Sequence, residues 1–281
     1  MSLVTKLSLK RGKTKSPQEL VKSSKELLST LTDALPTDGR FQTAREELGK
    51  NLTEMRQLIL GTSPNSPSTP STTASNVNFS SATSSMTSST TTTDVVAQQL
   101  TQHLIQSQLL VNLIVELRRI DFEGRKDVAQ IFINVLNHKT VANNNNNSSS
   151  NNNNNSSNSN SNSKSNHRED ASTPRMVFPL VDHIFESNRG LLTSLIRSYE
   201  HPELAVSCGS MLRECVRREP LARVILQSAS FYELFDHIEA AAFDVAADAF
   251  KSLKDLLTIH KQLAASFLEI NYDDFFLQVS A

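Results

Sequence analysis

Three fifteen-residue segments of this chain fall into register with one another. They are FEGRKDVAQIFINVL from Phe122, PELAVSCGSMLRECV from Pro202 and FDVAADAFKSLKDLL from Phe243. Each opens on Phe or Pro followed by an acid, which suits the positive end of a helix dipole. Six residues on come Val128, Cys208 and Ala249, and ten on come Phe132, Leu212 and Leu253. Thirteen and fourteen on come Val135-Leu136, Cys215-Val216 and Leu256-Leu257. These columns form one face of a helix. Each segment also follows another amphipathic stretch: LLVNLIVELRRI, LLTSLIRSYE or FYELFDHIE.

The last two segments start 41 residues apart (243 − 202). That period falls in the range of roughly 40–47 residues of HEAT and armadillo units. The first two start 80 apart (202 − 122), one period plus about the length of the Asn/Ser tract between them. The tract therefore reads as an insertion between neighbouring repeats of one solenoid, because repeats need their neighbours to bury their faces. A generic helical bundle with coincidental spacing is the competing reading.

Residues 62–94 and 140–174 are low-complexity tracts, nearly free of aliphatic side chains. Such segments bury too little apolar surface to offset the entropy of ordering, so both are expected to be disordered insertions. Ser16-Pro17-Gln18-Glu19 carries the signature of a helix start with a capping box. A second helix fits residues 41–60, with Gly61 as its stop. Helical patterning returns from Val95, turns at Asp121–Gly124, resumes over 125–138 and continues after the Asn tract. Strand-like alternation is scarce. The expected organisation is a basic tail over 1–15 and one all-α, armadillo/HEAT-like helical-repeat domain over 16–281, interrupted at the two tracts.

The remaining chemistry is mostly exclusion. Net charge is −1, which disfavours a nucleic-acid solenoid, since a basic excess would supply that affinity. Cys208 and Cys215 are too far apart along one helix for a disulfide and read as small core residues in a reducing compartment. No apolar run reaches membrane-spanning length and no apolar signal region follows the basic start. A cytoplasmic setting, with the nucleus also open, fits. No calcium loop, nucleotide-binding loop or zinc-protease spacing is present, and Asp273-Asp274 and Glu46-Glu47 read as solvated helix acids. No catalytic, cofactor or metal residues are assigned.

Polar positions eight, eleven, twelve and fifteen after each repeat start point away from the core columns. They place Gln130, Asn134, Arg213, Glu214, Arg217, Lys251, Lys254 and Asp255 as candidate partner contacts, with Lys126 nearby. Arg213, Glu214, Arg217 and Arg218 fit a contact patch or a solvated face with local ion pairs. Phe243 fits a contact or a core residue at the helix start.

The same segments carry a family resemblance. RRIDFEGRKDVAQIF (Arg118–Phe132), CGSMLREC (Cys208–Cys215), REPLARVIL (Arg218–Leu226), FYELFDHIE (Phe231–Glu239) and FDVAADAFKSLKDLLTIHK (Phe243–Lys261) resemble the calcium-binding protein 39 family, also called morula protein 25. KNLTEMRQLILGT (Lys50–Thr62) and KSPQELV (Lys15–Val21) resemble its N-terminal helices. The resemblance implies a non-enzymatic scaffold. It binds a STE20-related pseudokinase, activates a liver kinase B-like complex and also activates STE20-type kinases, through a concave solenoid face. It also implies further C-terminal repeats, which supply a pocket for a Trp-Glu-Phe tail. This chain ends at Ala281, so that pocket is not carried over and an exposed apolar edge is expected. A shortened solenoid that binds without activating, or a structural repeat protein with no kinase role, are the alternatives.

Overall fold

Ser16 starts the first helix as its sequence predicts. Its hydroxyl accepts from the Glu19 amide at 3.3 Å, and the Glu19 carboxylate accepts from the Ser16 amide at 2.9 Å. The computed structural model describes residues 15–61, 92–141, 176–240 and 242–279. Most of the basic tail and of both low-complexity tracts lies outside the described residues.

Helix α1 spans Pro17–Asp33 and α2 spans Gly39–Leu60. Gly61 ends α2 at φ 65°, a left-handed conformation that favours glycine. α3 (Thr92–Gln106) gives way to α4 (Leu109–Val115) at Gln108, another left-handed residue. α3 thus begins inside the tract expected to run to residue 94. Asp121 then caps α5 (Phe122–Asn137) by accepting from the Gly124 amide at 2.6 Å. Capping pulls the helix start forward to Phe122, so most of the expected DFEG turn is the first turn of the helix.

The chain continues through α6 (Pro179–Ser187), α7 (Gly190–Arg197) and α8 (Pro202–Val216). Next come α9 (Glu219–Leu226), α10 (Ser230–Ala240) and α11 (Phe243–Thr258), then α12 (Lys261–Ile270) and α13 (Tyr272–Val279). One short antiparallel ladder joins β1 (Thr140–Val141) to β2 (Met176–Val177). It brings together the two ends of the Asn-rich tract. The tract therefore leaves and re-enters the fold at one place, as an insertion does.

The packing is that of a three-helix repeat. α3, α6, α9 and α12 stack in one row, α4, α7, α10 and α13 in a second, and α2, α5, α8 and α11 in a third. The units are α3–α5, α6–α8 and α9–α11, with α1–α2 before them and α12–α13 after. This is the armadillo/HEAT-like solenoid the column register predicts. The columns supply its core. Val128, Phe132, Val135 and Leu136 are buried on α5, as are Cys208, Leu212, Cys215 and Val216 on α8, and Ala249, Leu253 and Leu256 on α11. Each large apolar side chain so buried contributes about 1.5–3 kcal/mol. At the C-terminal helices, Phe250, Ile270, Tyr272 and Leu277 are exposed, giving the apolar edge the sequence suggests.

Candidate functional site

The third-helix row presents a continuous face of α5, α8 and α11. Large apolar groups stand out of it near the start of each helix. Phe122 is 65% exposed, Val206 66% and Phe243 89%. So large an exposure excludes Phe243 from the core. Among the expected contacts, Lys126, Gln130, Arg217, Lys251 and Lys254 are exposed. Lys126 pairs with Glu123 at 2.9 Å and lies over the Phe122 ring, 4.7 Å from its centroid. Asn134 is half-buried and donates to the Gln130 carbonyl at 2.8 Å. Asp255 is half-buried.

Arg213 and Glu214 are placed differently. Their polar ends are spent between repeats. Arg213 Nη1 donates to Asp248 Oδ2 of α11 at 2.7 Å and to Ser252 Oγ at 3.2 Å. The Tyr199 hydroxyl donates to the same Asp248 oxygen at 2.8 Å and lies 2.9 Å from Ser252 Oγ. The Arg213 and Asp248 side chains are only 14% and 16% exposed. Burial, first of all, pushes the Tyr199 phenol well above its ordinary range, so it stays a donor. Gly209 makes room for this cluster: a Cβ there would meet Asp248 Oδ2 at 1.8 Å.

A matching tie joins α2 to α5. Thr53 Oγ1 donates to Asp127 Oδ2 at 2.7 Å, and Arg56 Nε lies 2.7 Å from Asp127 Oδ1. That nitrogen is misaligned for a hydrogen bond, so the contact is coulombic. Asp127 and Asp248 both stand five residues after their repeat starts, and Arg213 stands eleven after its own. Giving Arg56 the same place puts the start of the α2 repeat segment at Arg45. Asn51 and Met55 then fall on the six and ten columns, and both are buried. Two third-helix junctions thus use one device, an arginine reaching the aspartate of the next repeat.

The α5–α8 junction lacks it, because Ile133 and Ser207 occupy those places. Here Asn137 Nδ2 donates to Glu214 Oε1 at 2.8 Å, and Arg218 Nη2 donates to Asn137 Oδ1. The Arg218 guanidinium stacks on Phe178, 4.0 Å from the ring centroid, beside the β1–β2 ladder. Arg125 adds backbone ties, donating to the carbonyls of Ile120 at 2.9 Å and of Glu203 on α8 at 3.3 Å.

Reactive chemistry is suppressed in this core. Burial pushes the Cys208 thiol up to about 11, and Cys215 is pushed further in the same direction. Among the described residues no group of three or more His, Cys, Asp or Glu is placed to hold a metal ion. No described helix is long and apolar enough to cross a membrane.

Fold and face together define a helical-repeat protein with an extended exposed surface along its third-helix row. Comparison with known proteins places it more closely. The Mo25-like family model matches residues 7–281, and the chain belongs to that family. It is 36% identical over 262 residues to human calcium-binding protein 39-like, covering 93% of this chain and 59% of that protein. It is 29% identical over 269 residues to MO25-like protein 2 of Caenorhabditis elegans, covering 95% and 62% respectively. The Mo25-like protein of Schizosaccharomyces pombe is 26% identical over 260 residues, covering 92% and 61%. The chain therefore spans about three fifths of the length of these relatives.

Proposed function

We propose that this chain is a non-enzymatic scaffold that lays its third-helix face against a STE20-type kinase or a STE20-related pseudokinase and promotes the kinase's active state. The carrying observation is the row of unburied apolar groups, Phe122, Val206 and Phe243, flanked by Lys126, Arg217, Lys251 and Lys254. Apolar anchors with a charged surround are the composition of a protein-binding surface. Extended faces of this kind are what solenoids use to hold large partners. Activation by such a scaffold is population shift: it must bind the active conformation of the kinase more tightly than the inactive one.

The test is titration of the chain into a STE20-type kinase, following complex formation and phosphorylation rate together. Saturable activation supports the proposal. Binding without a raised rate supports a solenoid that occupies partners without activating them. No binding by a folded chain removes the kinase role. The variant for this test combines Arg217→Glu, Lys251→Glu and Lys254→Glu, and unchanged affinity in the folded variant would refute the assigned face. Arg213 is left intact, because reversing it would break the α8–α11 tie as well.

A further inference from the structure

A second surface lies at the N-terminal end of the solenoid, on α1, α2, α4 and the turn that follows α4. Two clefts of about 520 and 340 Å³ adjoin there, sharing Val115 and Glu116 at the end of α4 as a common wall. One cleft is lined by Arg45, Arg118 and Arg119, over a floor that includes the buried Phe41. The other carries Lys25 of α1. Among the described residues, Glu116 is the only acid lining either cleft, against four cations. It is already engaged, 2.8 Å from Arg119.

The cations are unequally committed. Arg119 also donates to the Leu31 carbonyl at 3.0 Å, and Lys25 donates to the Ser107 carbonyl at 3.0 Å. Arg118 reaches only a distant carboxylate, Glu203 at 3.7 Å, and is 66% exposed. Arg45 makes no ion pair or hydrogen bond among the described residues, and its Nε is buried without a partner. The Arg45 guanidinium therefore keeps donor capacity that no described residue uses. Between the charged ends stands Val115, an apolar residue 58% exposed.

We propose that this groove docks an acidic peptide segment of a protein partner. The segment lies extended, with carboxylates on Arg45 and Arg118 and an aliphatic side chain on Val115. Charge complementarity selects the ligand: the lining carries three more positive than negative groups. Three cations line the larger cleft and Lys25 the smaller, a spread that suits several carboxylates along a chain better than one phosphoryl group. From Lys25 to Thr32 the α1 wall alone runs about 10 Å, enough for about three extended residues, and the second cleft lengthens the track. The groove lies at the α2 end of the third-helix row, where Arg45 holds the repeat-start place of Phe122 and Phe243 and Arg118 reaches Glu203 of α8, so a partner seated on that row could extend into it.

The experiment uses the full chain and a fluorescent peptide of about a dozen residues, Asp and Glu with a central Leu. The expected result is saturable binding that weakens with salt. Affinity falls at least tenfold in Arg45→Glu/Arg118→Glu and falls in Val115→Asp, but is unchanged in Lys251→Glu/Lys254→Glu. Arg118→Glu alone, at an exposed position, gives the same direction should the double variant lose helicity. Three results overturn the proposal: no binding of the acidic peptide, equal loss in the third-helix variant, or binding of a phosphoserine peptide while the carboxylate peptide fails.

Discussion

Gly209 offers a test of how the repeats are held together. It lies in the middle of α8, where glycine is a poor helix former, and replacement by alanine should gain about 1 kcal/mol on propensity alone. The structure predicts the opposite sign. The new Cβ would sit 1.8 Å from Asp248 Oδ2, 2.5 Å from the Tyr199 hydroxyl and 3.0 Å from Arg213 Nη1. Asp248 must therefore move, and it is held by Arg213 at 2.7 Å and by Tyr199 at 2.8 Å. Uncoupling a buried ion pair costs about 3–5 kcal/mol. The two side chains keep 14% and 16% exposure, so water offsets part of this, leaving about 2–3 kcal/mol.

Net of the propensity gain, Gly209→Ala should destabilise by about 1–2 kcal/mol, or roughly 2–8 °C in melting temperature for a domain of this size. Gly49→Ala is the control. It is the same change inside α2, where the nearest atom to the new Cβ is Asp121 Oδ2 at an ordinary 3.4 Å. It should stabilise by up to about 1 kcal/mol. Urea titration of both variants decides. If Gly209→Ala gains stability as Gly49→Ala does, the claimed close packing of α8 on α11 is wrong.

The Arg213–Asp248 tie can be measured directly: a double-mutant cycle to alanine should give a coupling of about 1–3 kcal/mol, and additive losses would show that the two groups do not interact. Cys208 and Cys215 should resist thiol alkylation at pH 8 in the native chain and react after unfolding, and fast native labelling would contradict their burial. The raised Cys208 pKa carries a sign for stability. The unfolded thiol loses its proton first as pH rises, so this contribution is intact below about 8.5 and is lost towards 11. A stability profile flat over that window would refute it. Gly61→Ala, forced into φ 65°, should cost about 1 kcal/mol, read from the urea midpoint.

The fold was legible because burial in a stacked helix leaves a periodic trace. Val128, Cys208 and Ala249 share a column since each faces the core of its own repeat. Ser16 and Gly61 were legible because capping and left-handed backbone each need particular residue types. The three-helix subdivision was less so: α4, α7 and α9 are seven or eight residues long, too short for a period to be counted. Arg213 shows the main limit. Projected on its own helix it points away from the core columns, which reads as solvent, yet that direction faces the next repeat. A single-helix projection cannot separate water from a neighbouring copy. A signal was present, in the aspartates five residues after Phe122 and Phe243, but it needs the α2 register to complete it, and α2 opens with neither Phe nor Pro in that place.

The irregular α5–α8 junction leads to a further expectation. In a linear array, stability is a sum over repeats and their nearest-neighbour contacts, so cooperativity is limited by the weakest junction. This one has exchanged the arginine–aspartate pair for Asn137, a neutral side chain serving two charged groups at once. It also sits at the foot of the Asn-rich insertion, between Thr140 and Val177. Asn137→Ala would leave Glu214 with only the looser Arg217 contact at 3.6 Å and Arg218 without its acceptor, when Arg218 Nε is already buried and unpaired among the described residues. Hydrogen bonds to charged groups contribute about 1.5–3 kcal/mol each and two are lost, so the loss should be about 3 kcal/mol, the low end because both charged groups are only half-buried and water replaces part of it. Because it falls at a junction, α1–α5 should begin to unfold separately from α6–α13. The urea transition would then broaden, with a lower m-value, and hydrogen exchange would resolve two protection levels divided near residue 140. A shifted midpoint with unchanged m and uniform protection would mean that the apolar columns of α5 and α8 carry the coupling alone.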